Sequence, residues 1–199
     1  MNRLIIGVTG GIASGKSTFL SILGENGFKT ISADEIVKRL YEKGAPGYNA
    51  IKGLGIAGLF EMNGELNKKK LRHIIFSDVK MKTKVEKMIH PLVISQMKEL
   101  IEANPTSNIA VEIPLLFEAG LEDMCTHTVT IYAKKEMMMH NIKTRYGATE
   151  KEAEEMLASQ MDIETKMKMS GFVIMNNGTL DDLRNRTLDL IKNIRGETK

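Results

Sequence analysis

Gly10-Gly11-Ile12-Ala13-Ser14-Gly15-Lys16-Ser17-Thr18 follows the apolar run Leu4-Ile5-Ile6-Gly7-Val8 almost at the start of the chain. The stretch fits the pattern Gly, any four residues, Gly-Lys-Ser/Thr, in which each residue type has a chemical task. Glycines let backbone N–H groups curl round phosphate oxygens, Lys16 brings a mobile cation to the β and γ phosphates, and the Ser17 hydroxyl suits Mg²⁺. The context fits as well. Leu4 to Val8 reads as a buried strand, and Phe19-Leu20 with Ile22-Leu23 continue the loop as a helix. The stretch Gly11 to Thr18 is therefore read as the phosphate site of a nucleoside triphosphate.

The segment after the loop brings a carboxylate back to it. Ser17 to about Glu25 reads as a helix, Gly27 ends it, and Phe28-Lys29-Thr30-Ile31 reads as a second strand. About nine helical residues carry the chain ~14 Å away, and about five extended residues return it by ~16 Å. Asp34 is thus expected at the carboxyl edge of the sheet, where open α/β sheets bind their ligands. It can act there on an acceptor hydroxyl, or assist Mg²⁺ directly or through water. Asp is also a favoured N-cap, so capping of the helix Glu35 to Tyr41 stands beside catalysis as its role.

Between residues 45 and 105 the pattern turns helical. Gly44-Ala45-Pro46-Gly47 breaks the preceding helix, and Gly53, Gly55 and Gly58 keep the next stretch from forming a long one. From Asn67 to Ser77 and from Lys80 to Ala103 apolar residues recur at helical intervals. His90-Pro91 interrupts the second stretch, and a proline kink there would aim His90 into a cleft. Lys68-Lys69-Lys70-Arg72 is either a solvated face or a phosphate clamp.

Three more strands follow, at Ile109–Ile113, His127–Tyr132 and Phe172–Met175. The third strand of the chain ends in Pro114-Leu115-Leu116-Phe117-Glu118, an apolar run positioned to floor an acceptor pocket or to form a buried turn. Two charged helical stretches, Lys135 to Tyr146 and Thr149 to Met169, read as a lid. Arg145 stands before Gly147 between them, either as a mobile cation over a transferring phosphoryl group or as a helix-end cation. Leu180, Leu183, Leu188, Ile191 and Ile194 mark a last helix.

Composition narrows the class. The chain of 199 residues is 42% hydrophobic and 27% charged, enough for a substantial core. A net charge of +3, with lysines spread along the chain, gives no basis for a nucleic-acid partner. No apolar run approaches the ~18 residues of a membrane span, and Met1 to Val8 is too short for a signal segment. Cys125 stands alone and the four histidines show no metal-ligand spacing, which fits a reducing cytoplasm. The fourteen methionines fall mostly at helical spacing among other core residues.

Taken in order, these motifs resemble the dephospho-coenzyme A kinase family over about residues 3 to 195. The resemblance rests on Thr9-Gly10-Gly11-Ile12, Ala33-Asp34, Gly64-Glu65-Leu66 before Leu71, Phe76, His90-Pro91, Pro114-Leu115-Leu116-Phe117-Glu118, Gln160, and Val173-Ile174 with Asn176. It implies a three-layer P-loop kinase fold, with a five-stranded parallel sheet and helices on both faces. The nucleotide-binding core would comprise 1–44, 106–133 and 171–199, with a helical acceptor insertion at 45–105 and a lid at 134–170. The implied reaction moves the γ-phosphate of ATP, with Mg²⁺, to the ribose 3′-hydroxyl of dephospho-coenzyme A. By the same resemblance Lys16, Asp34 and Arg145 are catalytic, and Asn176 lies near adenine. Lys68, His90, Leu115, Leu116 and Glu118 contact or shape the acceptor site. A monomer or weak homo-oligomer is implied.

The chain departs from the family's usual residues at several polar positions. Ser32 stands where Asp is usual, Asn141 and Lys68 where Arg is common, Leu54-Gly55 where Phe-Gly is usual, Ser170-Gly171 where Ala-Asp is usual, and Ala13 where the loop has Gly. Loss of a lid cation at 141 lowers the rate without abolishing transfer, and Lys143 is a partial substitute lacking arginine's fork. Two other readings share the loop. One is a kinase of another nucleotide or nucleoside. The other is a nucleotide switch, against which the chain shows neither Asn-Lys-x-Asp after a strand nor Asp-x-x-Gly after the third strand.

Overall fold

The computed structural model describes residues 3–197; the side chains of Phe76 and Glu197 lie outside the described ones. In chain order β1 (Ile5–Gly10), α1 (Lys16–Glu25) and β2 (Lys29–Ser32) come first, then α2 (Ala33–Leu40), α3 (Pro46–Lys52), α4 (Lys68–Ser77) and α5 (Val79–Glu102). There follow β3 (Ile109–Glu112), β4 (His127–Tyr132), α6 (Lys135–Tyr146), α7 (Glu150–Ala158), α8 (Ile163–Met169), β5 (Phe172–Met175) and α9 (Leu180–Glu197). The chain divides into two compact units, 1–31 with 105–199 and 32–104. The sequence reading draws its boundaries at 44/45 and 105/106 and separates a lid, whereas α6, α7 and α8 group with the sheet.

The first unit is built on a parallel sheet in the order β2-β3-β1-β4-β5 with helices on both faces. Strands covered on both faces read as continuous apolar runs, which is why Leu4 to Val8 shows no polar alternation. β1 pairs with β3 on one side, Val8 opposite Glu112, and with β4 on the other, Val8 opposite Val129. It is therefore the strand from which the order runs outward both ways, and the loop leaves the sheet at that switch point.

Alternation along β1 sorts its two faces. Leu4, Ile6 and Val8 pack with Phe19, Leu20, Ile22 and Leu23 of α1 and with Leu183, Leu190, Ile191 and Ile194 of α9. Gly7 faces the other way, where a Cβ would stand 2.5 Å from Cys125 Sγ, so only glycine fits. On that side α8 packs, its Lys166 carbonyl accepting from Thr130 Oγ1 of β4 at 3.3 Å. α1 ends as expected at Gly27, whose φ of +88° turns the chain while Phe28 N bonds back to the Leu23 carbonyl.

The expected single helix from Thr149 to Met169 is two. Ser159 closes α7, and Asp162 caps α8 by accepting from Thr165 N at 3.0 Å. An Asp is a strong N-cap, so a second helix start inside a charged helical pattern outweighs the periodicity. At its own start α7 carries a reciprocal cap between Thr149 and Glu152.

The second unit packs α2, α3 and α4 against α5. α5 buries Val85, Ile89, Val93, Met97 and Ile101, one every four residues, which forms a stripe along one face. It runs unbroken through Pro91. The helix continues through Pro91 because the proline costs a single hydrogen bond on an exposed face while the buried stripe continues on both sides. The glycine-rich stretch after α3 is held by Tyr48, whose hydroxyl donates to the Gly64 carbonyl at 2.6 Å and whose ring meets Phe60 edge-on at 5.0 Å. Among the described residues no helix is long and apolar enough to cross a membrane.

Candidate phosphate-transfer site

The loop between β1 and α1 takes its shape from three residues of positive φ: Gly10 at +143°, Ala13 at +58° and Gly15 at +98°. Two of the glycines also have no room for a side chain. A Cβ on Gly10 would lie 2.3 Å from the Ile131 carbonyl, and one on Gly15 would lie 2.3 Å from Asn176 Nδ2. Gly15 is the N-cap of α1 and supplies no side-chain cap, so the first N–H groups of the helix face outward unshared by a cap. Such an end favours anions through its N–H groups and its dipole.

The loop carbonyls, by contrast, are engaged. Lys16 is buried, and its Nζ donates to the Gly11 carbonyl at 2.8 Å and the Gly10 carbonyl at 3.1 Å. Asn141 Nδ2 of α6 donates to Ala13 O at 3.1 Å, and Asn176 Nδ2, just past β5, to Ser14 O at 2.9 Å. The Ser14 hydroxyl is 1% exposed with no hydrogen-bond partner among the described residues. A buried hydroxyl left over in a phosphate-shaped loop fits a ligand oxygen. Ser17 and Thr18 follow on α1 with exposed side chains, and the Ser17 hydroxyl has no partner among the described residues, so it suits a metal ligand.

Beside the loop lies a network that the sequence reading passes over. The Pro114 carbonyl accepts from Thr9 Oγ1 at 3.2 Å and from Lys166 Nζ at 2.7 Å. Lys166 is wholly buried and pairs with Glu118 Oε1 at 2.8 Å, which also accepts from Met161 N at 3.1 Å. Lys166 thereby joins the end of β1, the turn after β3 and the α7–α8 connection. Nothing in a charged helical pattern distinguishes this lysine from its solvated neighbours. Glu112, closing β3 with 6% exposure, is likewise absent from the expected site. A carboxylate ending an apolar strand at the ligand edge was the available signal.

The expected acceptor residues divide. Leu116 is wholly buried and points at the sheet, its Cδ2 3.4 Å from where a Gly7 Cβ would be, so it belongs to the core and not to a pocket floor. Leu115 keeps solvent-facing surface. Glu118 spends its carboxylate on Lys166 and the Met161 amide. In the second unit Lys68 opens α4 and His90 stands on α5, both exposed and without a partner among the described residues. Asp34 is exposed in the first turn of α2, also without a partner among the described residues; Ser32 occupies the N-cap position, so the expected cap role is not Asp34's.

On α6, Arg145 is exposed two residues before Gly147, whose φ of +63° ends the helix. Its guanidinium lies 5.5 Å from the Tyr146 ring centre. Lys143 is committed elsewhere, its Nζ 2.6 Å from Glu150 Oε2 across the α6–α7 turn.

A parallel sheet whose central strand feeds a glycine-rich, lysine-bearing loop into a helix defines a P-loop nucleotide-binding fold. A shikimate kinase from Acinetobacter baumannii shares this fold at a TM-score of 0.58 and 14% identity, over 98% of this chain and 95% of that one. The dephospho-CoA kinase family model matches residues 4–182, and the chain belongs to that family. A dephospho-CoA kinase of Fusobacterium nucleatum is 37% identical over 183 residues, 92% of this chain and 94% of the relative. The solved dephospho-CoA kinase of Campylobacter jejuni superposes with a TM-score of 0.72 at 30% identity, each chain covered in full.

Proposed function

We propose that this chain transfers the γ-phosphoryl group of ATP to the ribose 3′-hydroxyl of dephospho-coenzyme A, giving coenzyme A and ADP. The observation that carries the reading is Lys16, buried and folded onto the Gly10 and Gly11 carbonyls beside the unpartnered Ser14 hydroxyl. An ammonium resting on loop carbonyls has a stronger partner in phosphate oxygens, so binding ATP draws it from the loop onto the β and γ phosphates.

In this reading the N–H groups of Gly11 to Thr18 receive the phosphates. The Ser17 hydroxyl would hold Mg²⁺, which when bound offsets phosphate charge. Asp34 takes the proton of the 3′-hydroxyl as its oxygen bonds to the γ phosphorus and the bond to the β-phosphate oxygen breaks. Arg145 approaches from the lid, 134–170, to offset charge on the transferring group. Lys68, His90 and Leu115 meet the acceptor, within the insertion and at the turn after β3. Asn176 braces the Ser14 carbonyl at the adenine end, and Glu118 shapes the acceptor turn through Lys166. We further infer a cytoplasmic enzyme, a monomer or weak homo-oligomer without nucleic-acid or membrane partners, from the lone Cys125 and the modest charge.

Phosphorus NMR of the product made from Mg-ATP and dephospho-coenzyme A tests the assignment. A new monoester coupled to the ribose H3′ is expected. A product phosphorylated elsewhere, or ADP formed without any phosphorylated acceptor, would overturn it.

A further inference from the structure

The tip of the phosphate loop is tied to α6 in three ways. Asn141 Nδ2 donates to the Ala13 carbonyl at 3.1 Å, the Ile12 and Ala13 side chains pack on the Met139, Ile142, Ala153 and Met156 cluster of α6 and α7, and Met138 fills the space beside Gly11. Ala13 is, among the described residues, the one non-glycine with a left-handed φ. A residue with a Cβ resists that conformation, because the Cβ crowds the following carbonyl. Something outside the residue must hold it there.

Of the four loop carbonyls engaged by side chains, Gly10 and Gly11 depend on Lys16, the group that ATP draws away. Ala13 and Ser14 depend on the amides of Asn141 and Asn176, which no phosphate competes for. Once Lys16 has moved, these two amides still hold the Ala13 and Ser14 carbonyls, and the Gly11 carbonyl keeps the Ser14 N–H at 3.2 Å. Asn141 also stands where the family resemblance leads one to expect a guanidinium, and an uncharged amide offers no charge to a transferring phosphoryl group.

We propose that Asn141 is a positioning residue that holds Ala13 in its left-handed turn, so that the cradle is shaped before ATP arrives. Ala13 and Asn141, two of the positions that depart from the usual family residues, thus act as one pair. The proposal rests on the loop being the ATP site, and the test separates the two.

Dissociation constants for ATP are measured by titration calorimetry on the full chain, for wild type, Asn141→Ala and Asn141→Asp, each with and without Ala13→Gly, together with the KM of the acceptor. Asn141→Ala should weaken ATP by roughly fivefold, the worth of one hydrogen bond. Asn141→Asp, which faces the carbonyl with an acceptor only, should weaken it further, with the acceptor KM unchanged. Ala13→Gly should recover most of the loss in Asn141→Ala, because glycine takes positive φ unaided. Melting temperatures within a few degrees of wild type show that the variants fold. ATP affinity unaltered in both Asn141 variants, or a loss that Ala13→Gly leaves in full, overturns the pairing. A wild-type chain that binds no ATP overturns the site reading itself, and this role with it.

Discussion

Lys166 Nζ lies 2.8 Å from Glu118 Oε1 with the lysine side chain wholly buried, and the same ammonium holds the Pro114 carbonyl at 2.7 Å. Because Thr9 Oγ1 donates to that carbonyl too, the residue preceding the phosphate loop and Lys166 of α8 share one acceptor in the turn after β3. The turn that the sequence offers as an acceptor floor is thus pinned to the base of the loop.

Glu118→Leu should destabilise the protein by about 3–5 kcal/mol, because it strands a buried ammonium. Adding Lys166→Met to Glu118→Leu should restore much of the loss, since apolar replacement of both members removes the uncompensated charge. Urea unfolding of the two single variants and the double variant measures this. Strictly additive losses would show that the two residues do not act as a pair.

Lys16→Ala should lower kcat by at least ~10²-fold, as expected when a cation on the transferred group is removed. The ammonium donates to the Gly10 and Gly11 carbonyls of its own loop, and thermal unfolding should change little. Steady-state ADP release checks the rate, and a melting curve checks the fold.

Asp34→Asn should also cost at least ~10²-fold in kcat. Ser32, not Asp34, occupies the N-cap of α2, so the variant should lose no more than the ~0.3–1 kcal/mol of an acid in a first helical turn. Near-normal turnover would leave Asp34 as a dipole-favouring acid alone.

Cys125 provides a pH signature. Burial and the nearby Glu122 push its thiol from 9.0 up to about 11. The folded protein therefore keeps the proton where the unfolded chain has released it, and fewer protons on the unfolded state mean that stability falls as pH rises. Urea unfolding between pH 9 and pH 11 should show this decline, and Cys125→Ala should flatten it. Iodoacetamide should label the native thiol far more slowly than the unfolded one at pH 8.5.

How far the sequence carries depends on whether local chemistry decides. His127–Tyr132 and Phe172–Met175 are read to the residue, because β-branched and aromatic residues cluster in both. The phosphate loop is legible because no common structural role demands glycines, a lysine and a hydroxyl in that spacing. The split between α7 and α8 is missed because helical periodicity on both sides masks the Asp162 cap. Lys166 and the Asn141–Ala13 contact are invisible for another reason: each depends on partners 36 to 128 residues away that only packing brings together. For Leu116 the residues leave a pocket floor and a buried turn open, because an apolar turn at a ligand edge looks the same whether it faces a substrate or the sheet.

The most direct test of the central claim is kcat/KM with Mg-ATP for dephospho-coenzyme A against AMP, adenosine and other nucleoside monophosphates under one set of conditions. Dephospho-coenzyme A should be preferred by orders of magnitude, with one ADP formed per acceptor phosphorylated. A nucleoside monophosphate turned over faster than dephospho-coenzyme A would contradict the account.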